Sequence, residues 1–417
     1  MLIEFSVSNF RSISDRVCFS AVATSSSGKD ESISFKSGNS AVPSLLKTAL
    51  IIGPNASGKS SLIDAMDFFL GFISDSANTS KSEFLSLEPN ELVEGYSTSD
   101  SEFEMIFSDG AEIFQYGFRL NKREVTQEWL IARKNKPRSR ERLLFERGKS
   151  PRHAKINVEI LGQKEIWKKS TRRNALLFST AVQLNSKFFM RLRRYLTNDI
   201  QVIPSGGLGP HFSSNYVSAD KPGRKEKFNK FVSDLDLHIS GFDVTEAIME
   251  VPDSAKKMFE DEALKELFGD LKHWKITGKH ERTDGEIVDF EFSQESKGTQ
   301  NLFSIAGPIL DVLENGYTLV VDELNASLHP CALKGIVDMF RDKKINKKNA
   351  QLFFTSHEVS IVDDESFHKD QIWFVEKNDG FHTTLTPLSD YDVRDLRSFR
   401  KSYLNGKFGA VPFLKLV

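Results

Sequence analysis

The chain has 417 residues, more than one ordinary domain core usually holds, so we expect one large domain that carries insertions. Hydrophobic residues make up 39% and charged residues 27%, which is typical of a folded protein rather than a disordered one. The formal net charge of -2 excludes a global electrostatic attraction to nucleic acid or membranes, so any such binding requires a local patch.

Targeting signals and cysteine content indicate a cytoplasmic protein. The N-terminus lacks a basic region followed by an apolar run, so we expect no signal peptide. No apolar stretch reaches the roughly 20 residues needed to cross a bilayer, so we expect no membrane association. The two cysteines, Cys18 and Cys331, argue against a disulfide framework, and we expect both to be buried as small hydrophobic residues.

The first part of the chain alternates between predicted strands and one helix. Residues 2–7 alternate like a strand, and residues 48–52 form a short apolar strand that ends at Gly53. A helical pattern follows from Lys59. Residues 101–120 have the pattern of a hairpin, and strand-like segments continue to about residue 162, which predicts an antiparallel β subdomain.

The middle and last parts differ in pattern. Residues 186–275 look mostly helical and irregular, with helical spacing in two sets: Phe228, Phe231, Val232 and Leu235, then Met258, Leu264 and Leu267. Residues 205–210 are a glycine-rich break, which we do not interpret as a phosphate loop because no strand is predicted to end there and no lysine follows. From residue 287 the pattern returns to α/β, with buried strands at 317–321 and 351–355.

These patterns predict an α/β fold with a mainly parallel core sheet, an antiparallel β subdomain and a helical insertion. We expect an N-terminal lobe at 1–185, a helical insertion or lid at 186–285, and a C-terminal lobe at 286–417.

A complete G-x-x-x-x-G-K-S motif stands between the strand 48–52 and the helix from Lys59, the context that such a phosphate-binding loop requires. Its residues are Gly53, Pro54, Asn55, Ala56, Ser57, Gly58, Lys59 and Ser60, and Ser61 follows as a further candidate contact. Backbone N–H groups of this loop and the helix N-terminus should surround the β-phosphate of ATP. Lys59 should reach the β- and γ-phosphates, and the Ser60 hydroxyl should ligate Mg²⁺.

Two adjacent acids end the apolar strand 317–321. Burying a strand end beside two carboxylates is costly unless a cation compensates them, and the Mg²⁺ of a bound nucleotide would do so. We expect Asp322 to hold the metal and Glu323 to polarise the attacking water. His357 follows the strand 351–355 and fits a γ-phosphate contact, although a lone histidine is more often structural.

Ser296 and Gly298 stand at the start of the helix that precedes the acid-ended strand, where they can present N–H groups and a hydroxyl to an anion. The order P-loop, Ser-x-Gly, Asp-Glu, Ser-Leu-His-Pro and then His resembles that of ABC-type ATPases. That resemblance implies that Ser296 and Gly298 form a signature motif serving a second copy, that Asn325 opens the D-loop, and that His357 is the switch histidine.

The start of the chain carries part of this resemblance. Asn9-Phe10-Arg11-Ser12, after the first strand, is similar to the start of RecF, SMC and double-strand-break-repair ATPases, which makes Asn9 and Arg11 candidate nucleotide contacts. The Gln that links the two lobes in ABC ATPases has no clear spacing here, and Gln183 is the candidate for it and for a metal contact.

A closer resemblance is to stand-alone bacterial ATPases of abortive-infection and phage-defence operons. The matching segments are Glu295–Gln300, Ala306–Leu310, Val321–Leu324, Leu328–Pro330, Asp370–Val375 and Tyr403–Pro412. It implies a homodimer or higher homo-oligomer built around an ATP sandwich, with a separately encoded effector, often a nuclease or Toprim-like protein. The chain departs from the family's pattern at Asn325, where the family more often has Asp, and from the transporter signature at Glu295 and Lys297, where transporter ATPases prefer Leu and Gly. Both departures argue against fast turnover.

Three functions remain open from the sequence: a defence ATPase that senses infection and controls a toxic partner, a RecF-like DNA-repair or DNA-end clamp, and the ATPase subunit of a transporter. The basic stretch 133–173 fits binding of nucleic acid or of an acidic partner, or merely solvated loops. No nuclease centre is visible, because the acidic turn Asp363-Asp364-Glu365 lacks the strand-flanked Asp-x-Asp of a Toprim metal site.

Overall fold

The computed structural model describes residues 1–24, 27–38, 42–78, 80, 84–136, 139–219, 221–235, 239–248, 272–326, 328–362, 367–393, 396 and 398–411. Several sequence-based interpretations lie outside these residues: the helical spacing of Met258, Leu264 and Leu267, residue Arg138 of the basic stretch, Ser327 of the Ser-Leu-His-Pro motif, the acidic turn 363–365, and Pro412 of the C-terminal matching segment.

The chain forms two compact units. The first combines Met1–Gly207, Val312–Asn325 and Leu333–Val417, and the second combines Leu208–Asp311 with Ala326–Ala332. These divisions differ from the boundaries after residues 185 and 285 that the sequence suggested. The difference arises because strand β11, inside the predicted insertion, pairs with the core sheet of the first unit.

The described strands are β1 (Leu2–Ser8), β2 (Val17–Ser20), β3 (Ser34–Lys36), β4 (Ser44–Leu46), β5 (Thr48–Ile52), β6 (Ser101–Ser108), β7 (Glu112–Leu120), β8 (Val125–Lys134), β9 (Arg142–Arg147), β10 (Lys155–Ile156), β11 (Ile200–Ile203), β12 (Gly241–Ile248), β13 (Lys272–Glu281), β14 (Ile287–Glu291), β15 (Thr318–Val321), β16 (Gln351–Ser356), β17 (Ile372–Lys377) and β18 (Thr383–Pro387). The described helices are α1 (Lys59–Asp75), α2 (Lys164–Ser170), α3 (Leu177–Gln183), α4 (Lys187–Thr197), α5 (His211–Ser218), α6 (Arg224–Leu235), α7 (Lys297–Asn315), α8 (Pro330–Arg341) and α9 (Phe399–Leu404).

A mainly parallel sheet forms the core of the first unit, as predicted. Its strand order is β11-β15-β16-β5-β17-β18, and only β18 runs antiparallel to its neighbour. All residues of β5 and β15 are buried, which is why their sequences are continuous apolar runs rather than alternating ones. The parallel register brings the carboxyl ends of β11, β15, β16 and β5 to one edge of the sheet.

An antiparallel sheet forms the second layer of this unit, also as predicted. Its order is β10-β9-β8-β7-β6-β1-β2. Helix α1 covers it, and its residue Phe69 contacts both Phe5 of β1 and Phe118 of β7 through its ring. Such aromatic contacts hold α1, and therefore the loop that precedes α1, against a rigid layer.

The second unit contains helices, as expected, but also a sheet that the sequence reading missed. Strands β12, β13 and β14 form an antiparallel three-stranded sheet, and Phe242 of β12 packs its ring against Phe303 of α7. Pro308 inside α7 cannot donate a backbone hydrogen bond to Ser304 O. The Ser213 hydroxyl donates to that oxygen instead, at 2.9 Å.

Two sequence-based expectations were wrong. Both cysteines are exposed rather than buried, because Cys18 points outward between the inward-facing Val17 and Phe19 of β2, and Cys331 lies on the outer side of α8. A strand, β11, does end just before the glycine-rich break at 205–210. Among the described residues, no helix has both the length and the apolar character that crossing a membrane requires.

Candidate functional site

The P-loop connects the carboxyl end of β5 to α1, and two of its glycines are dictated by close neighbours. A Cβ on Gly53 would lie 2.1 Å from the carbonyl oxygen of Val375. Gly58 has a φ of +114°, and a Cβ there would lie 2.7 Å from Cγ2 of Thr383. Strands β17 and β18 therefore fix the path of the loop, and only glycine fits at both positions.

Lys59 lies folded back over the loop with its side chain buried. Its Nζ donates to Gly53 O at 2.8 Å and to Pro54 O at 2.9 Å. Burial lowers the pKa of Lys59, and the negative charges of Asp322 and Glu323 partly oppose that effect. Among the described residues no carboxylate pairs with this ammonium group directly, so it is placed to meet an anion in the loop.

The remaining P-loop residues are arranged for backbone contacts. Ala56 has a φ of +60°, and Asn55 and Ala56 are exposed at the tip. The Ser57 hydroxyl is buried, and no described residue gives it a hydrogen-bond partner. Ser60 and Ser61, at the start of α1, are half-buried. Loop tips with left-handed residues of this kind point consecutive N–H groups toward an anion.

Thr383 holds the P-loop against the N-terminal turn, a role that the sequence did not suggest. Its Oγ1 lies 2.9 Å from Ser12 O and 3.1 Å from Ser57 O, so it can donate to either carbonyl. The Ser12 hydroxyl in turn donates to Ser61 Oγ at 2.8 Å. Thr383 stands more than three hundred residues along the chain from both, so only the folded structure brings them together.

The two acids at the end of β15 meet the end of the neighbouring strand β16. Thr355 Oγ1 donates to Asp322 Oδ1 at 2.5 Å and accepts from the backbone N–H of Glu323 at 2.7 Å. The Nε2 of His357 lies 3.4 Å from Glu323 Oε1. One threonine hydroxyl thus orients both acids, and the sequence signal for it was a polar residue directly after the apolar run 352–354 of β16.

Asp322 is the clearest candidate for holding a cation. It is 6% exposed, and its Oδ2 is buried without any hydrogen-bond partner among the residues that the structure describes. An unpaired buried carboxylate oxygen is costly, and a divalent cation would remove that cost. Among the described residues, no group of three His, Cys, Asp or Glu side chains could hold a metal alone. The donors therefore fit a Mg²⁺ that Asp322 and Ser60 would share with nucleotide oxygens.

Glu323 has an unusual backbone conformation for a residue with a side chain. Its φ is +52°, and its carboxylate is about half exposed beside His357. Left-handed backbone costs roughly 1–3 kcal/mol for such a residue, and persists only where surrounding contacts enforce it. The N–H bond to Thr355 supplies such a contact and turns the carboxylate away from the buried side of the strand.

The structure gives Asn9 a role different from the nucleotide contact that we expected. Asn9 is 2% exposed, and its Nδ2 donates to Tyr96 O and Ser99 O at 2.8 and 3.0 Å. Its Oδ1 accepts from the N–H of Asn90 at 2.9 Å. Because its Nδ2 donors are used in these bonds, Asn9 holds the segment 90–100 and has no side-chain N–H left for a phosphate.

Arg11 remains accessible beside α1. Its guanidinium group pairs with Asp64 of α1 and with Glu88, while its side chain is 40% exposed. Burial raises the pKa of Asp64, the charge of Arg11 opposes that effect, and a backbone hydrogen bond from Ser205 also opposes it. Ser205 follows the end of β11, which lies beside β15 in the sheet. The loop after β11 therefore borders the same edge as Asp322. The sequence analysis did not identify this loop as part of the site.

Gln183 does not lie at this edge, which corrects its assignment as a metal contact. It is exposed at the end of α3, and its Nε2 donates to Asn78 Oδ1 at 2.5 Å. Asn78 follows the far end of α1, a helix of 17 residues whose first turn carries the P-loop lysine. At 1.5 Å per residue the helix separates the two ends by about 25 Å.

The predicted signature lies in the second unit, where Ser296 stands just before α7. Its Oγ accepts from the N–H of Thr299 at 3.1 Å, the geometry of a helix N-cap. The side chain of the preceding residue, Glu295, is 6% exposed, and its Oε1 lies 2.8 Å from His280 Nε2 on β13. Glu295, one of the departures from the transporter pattern, thus ties the signature turn to the sheet. Asn325 is half-buried in the first unit, and its Oδ1 has no hydrogen-bond partner within the described part of the chain.

The basic stretch 133–173 is only partly paired within the chain. Of its fourteen described lysines and arginines, six form ion pairs: Arg142, Arg147, Lys149, Lys155, Lys168 and Arg173. The ion pairs therefore do not decide between a solvated surface and a phosphate-binding one.

Comparison with known proteins gives a family and a set of distant structures. A model of the family described as "AAA domain, putative AbiEii toxin, Type IV TA system" matches residues 49–363. The SMC head domain from Thermotoga maritima is 15% identical, with a TM-score of 0.39, over 93% of this chain and 98% of that one. The Smc head domain with an extended coiled coil, bound to the C-terminal domain of ScpA and derived from Pyrococcus furiosus, is 12% identical, with a TM-score of 0.39 over 97% and 99%.

The recombination mediator RecF with ATP is 14% identical, with a TM-score of 0.34, over 92% of this chain and 95% of that one. No curated protein sequence matches the chain significantly. The family match spans the P-loop, the acid pair after β15 and the histidine after β16, so the motif-based resemblance is confirmed at the level of the family. The chain belongs to this family of AAA-type P-loop ATPases.

Proposed function

We propose that the chain binds ATP with Mg²⁺ at the carboxyl edge of the core sheet and hydrolyses it. The observation that carries this proposal is the Thr355 hydroxyl, which fixes the unpaired carboxylate Asp322 and the strained residue Glu323 beside His357. A buried acid with a free oxygen and an exposed acid next to it divide two tasks, holding a cation and accepting a proton.

The P-loop residues bind the phosphates. The N–H groups at the loop tip and the start of α1 surround the β-phosphate, and Lys59 exchanges its two carbonyl partners for phosphate oxygens. Ser60 and Asp322 would hold Mg²⁺, which when bound neutralises phosphate charge. Asp322 gains a partner for its free Oδ2 in this state.

Glu323 acts as the base in this proposal. Its carboxylate is open to solvent and near the His357 ring, so a water held between these two groups and the phosphate can pass a proton to Glu323. His357 then contacts the γ-phosphate side of the site. The substrate is ATP, and the products are ADP and phosphate.

The test is Glu323→Gln, which removes the base but keeps the size and the backbone position of the side chain. We expect nucleotide binding to persist while turnover falls by about 10²- to 10⁴-fold. Lys59→Ala is the matched comparison, because it should abolish or strongly weaken binding itself. Wild-type turnover in Glu323→Gln would refute the assignment of the base.

We further propose that two copies share their ATP sites. In the ABC arrangement that the motifs resemble, Ser296 and Gly298 serve the nucleotide held by the partner's P-loop. The exposed N-cap hydroxyl of Ser296 supports this role, because it leads a helix of 19 residues whose N-terminus favours anions. ATP binding would then stabilise the dimer, and dimerisation would tighten ATP binding by the same factor.

Mixing two inactive variants tests this sharing. A Lys59→Ala chain mixed with a Ser296→Arg chain forms mixed dimers in which one composite site is intact. We expect partial recovery of ATPase activity in the mixture and none in either variant alone. Mixed dimers that are demonstrated by differential tagging but stay inactive would argue strongly against a shared site.

The biological role we propose is control of a separately encoded toxic effector during infection. The support is the family match and the lack of nuclease motifs in the sequence. Co-expression with the product of the neighbouring gene, with Lys59→Ala and Glu323→Gln as controls, tests this role. A phenotype that the ATPase produces alone would refute it. The RecF-like alternative rests only on the resemblance of the N-terminal segment and on the basic stretch, in which six of the fourteen described lysines and arginines are already ion-paired.

A further inference from the structure

A polar cavity lies in the first unit, at the edge of the core sheet where the parallel strands begin. Lys47 immediately precedes β5, and residues 343–349 connect α8 to β16, so the cavity adjoins the starts of both strands. The P-loop follows the other end of β5. A strand of five residues separates the two edges by about 16 Å, so this cavity is distinct from the proposed ATP site.

Positive charge dominates this cavity, which we call the lysine cavity. Five lysines and one acid line it: Lys29, Lys36, Lys47, Lys343, Lys347 and Glu31. Glu31 is already paired with Lys343. Within the part of the chain that the structure describes, Lys29, Lys36 and Lys347 make no ion pair. Such a surplus is unexpected in a chain whose net charge is -2.

The acids nearest to the lysine cavity are already engaged. Asp30 accepts from the backbone N–H and the hydroxyl of Ser32 at 2.8 and 2.7 Å. Asp342 accepts from the N–H of Lys344 at 2.7 Å. Their charges act on Lys47 at a distance, but neither forms an ion pair with it. They reduce the positive potential of the cavity without closing it.

Lys47 is the buried member of the cluster. It is 1% exposed, and its Nζ donates to Glu31 O at 2.7 Å and to Arg341 O at 3.5 Å. Burial lowers the pKa of Lys47. An ammonium group has three N–H donors, and two carbonyl oxygens carry no full negative charge. A buried cation held only by carbonyls is costly, and an anion in the cavity would compensate it.

The walls of the cavity are held in place before any ligand arrives. Asn346 is 2% exposed, and its amide donates to Phe340 O and Ala350 O and accepts from the N–H of Ala350. On the opposite wall, the Ser34 hydroxyl donates to Ser27 O at 2.9 Å. Lysines on such fixed loops lose less freedom on binding than lysines on a mobile tail.

We propose that the lysine cavity binds the phosphate groups of a small polyanion, such as a nucleoside diphosphate or triphosphate. Lysines act as point charges toward phosphate, and several around one concavity suit adjacent phosphates. The cavity measures about 580 Å³, within the range of small-ligand sites. A concavity of this size with a buried lysine fits a compact ligand better than the extended backbone of a nucleic acid.

Calorimetric titration with inorganic tripolyphosphate in low salt, without Mg²⁺, tests this proposal. The wild-type chain should bind two equivalents, one at the P-loop and one in the lysine cavity. Lys59→Ala should retain one. Lys36→Glu combined with Lys347→Glu should retain the P-loop equivalent and weaken the other at least about tenfold. All substitutions together should remove both. Lys187→Glu with Lys401→Glu, two exposed lysines elsewhere, is the matched control and should bind two.

Three outcomes would overturn the proposal. The first is a Lys59→Ala chain that binds no tripolyphosphate. The second is a Lys36→Glu/Lys347→Glu chain that binds like the control. The third is a cavity that binds a single-stranded oligonucleotide but not tripolyphosphate, which would make it part of a nucleic-acid surface. Both reversed lysines are exposed, so thermal melts should match the wild type, and Lys36→Gln with Lys347→Gln provides a neutral second variant.

Discussion

Two buried carboxylates in the first unit differ in how completely their oxygens are used. Glu128, in the antiparallel sheet, is fully buried and surrounded by donors. Asp322, at the edge of the parallel sheet, is almost as buried, but one of its oxygens has no hydrogen-bond partner in the described residues. The comparison distinguishes a carboxylate that stabilises the fold from a carboxylate that keeps one oxygen available for a ligand.

Both carboxylate oxygens of Glu128 have partners. Its carboxylate forms an ion pair with Arg147 at 2.9 Å and accepts from the Tyr116 hydroxyl at 3.0 Å. It also accepts from the N–H groups of Leu177 and Phe178 at 2.8 and 3.0 Å, which are unpaired donors at the start of α3. A strand residue thus caps a helix that is distant in sequence, and the ion pair joins the neighbouring strands β8 and β9 of one sheet.

The hydrogen bonding of Asp322 is incomplete, in contrast with that of Glu128. Thr355 supplies one hydrogen bond to Oδ1, and no described group reaches Oδ2. The nearby Lys59 bonds to carbonyls rather than to Asp322. The charges of Lys59 and Asp322 act on each other without a direct ion pair, which fits the proposed nucleotide with its metal as the partner of both.

The largest expected effect on stability comes from removing the cation that pairs with Glu128. Arg147→Met should lower the free energy of unfolding by about 3–5 kcal/mol, because it leaves the Glu128 charge buried without its cation. Denaturant unfolding monitored by tryptophan fluorescence measures this loss. Adding Glu128→Gln to the Arg147→Met chain should recover part of it, since the neutral amide no longer needs a cation. A loss below about 1 kcal/mol would show that Glu128 does not depend on Arg147.

A smaller effect is expected from Thr355→Val, which connects the two halves of the comparison. The substitution keeps the shape of the side chain but removes the donor to Asp322 and the acceptor for the N–H of Glu323. We expect a loss of about 1–3 kcal/mol in stability. ATPase turnover should fall with little change in nucleotide affinity. Thr355→Ser keeps the hydroxyl and should restore most of the turnover, whereas equal turnover in the Val and Ser variants would contradict the orienting role.

These two sites also mark what the sequence could and could not predict. The P-loop, Asp322 and Glu323 were recognisable because each motif is contiguous and stands at the end of an apolar strand. Glu128 was not recognisable, because it lies beside Trp129 in β8. A reader of the sequence would turn the tryptophan inward and the acid outward, whereas the structure buries the acid and half-exposes the tryptophan.

The failures at the site have similar physical causes. Thr383 and Ser205 act through contacts that join distant parts of the chain, and no local pattern encodes them. Asn9 and Gln183 were assigned by resemblance, but their amides are used in structural hydrogen bonds. Strand β11 is only four residues long, so its period is too short to detect, and missing it shifted the predicted boundary of the insertion.

Asp322→Asn should have a small effect on stability, in contrast with Arg147→Met. The Asn oxygen can still accept from Thr355, and the unpaired buried charge disappears. We therefore expect the free energy of unfolding without nucleotide to stay the same or to rise by up to about 1 kcal/mol. The thermal stabilisation that Mg²⁺ and ATP give the wild type should be lost. A chain as destabilised as Arg147→Met would show that Asp322 is structural.

The smallest expected effect concerns a third buried carboxylate, Glu295 in the second unit, whose oxygen lies 2.8 Å from His280. Like Glu128 it is held by a partner, but like Asp322 it lies next to a predicted functional residue, Ser296. If the pair only positions the signature turn, His280→Ala should reduce turnover about fivefold, which corresponds to roughly 1 kcal/mol of transition-state stabilisation. Nucleotide affinity of the isolated chain should not change, because the proposed signature serves the partner's site.

Lys275→Ala, an exposed position on the same strand, is the control and should leave turnover unchanged. Steady-state ATPase assays and nucleotide titrations of both variants separate the two quantities. An affinity that falls together with turnover, or a turnover equal to that of Lys275→Ala, would place the His280–Glu295 pair with structural charges such as Glu128 rather than with the groups that prepare the shared site.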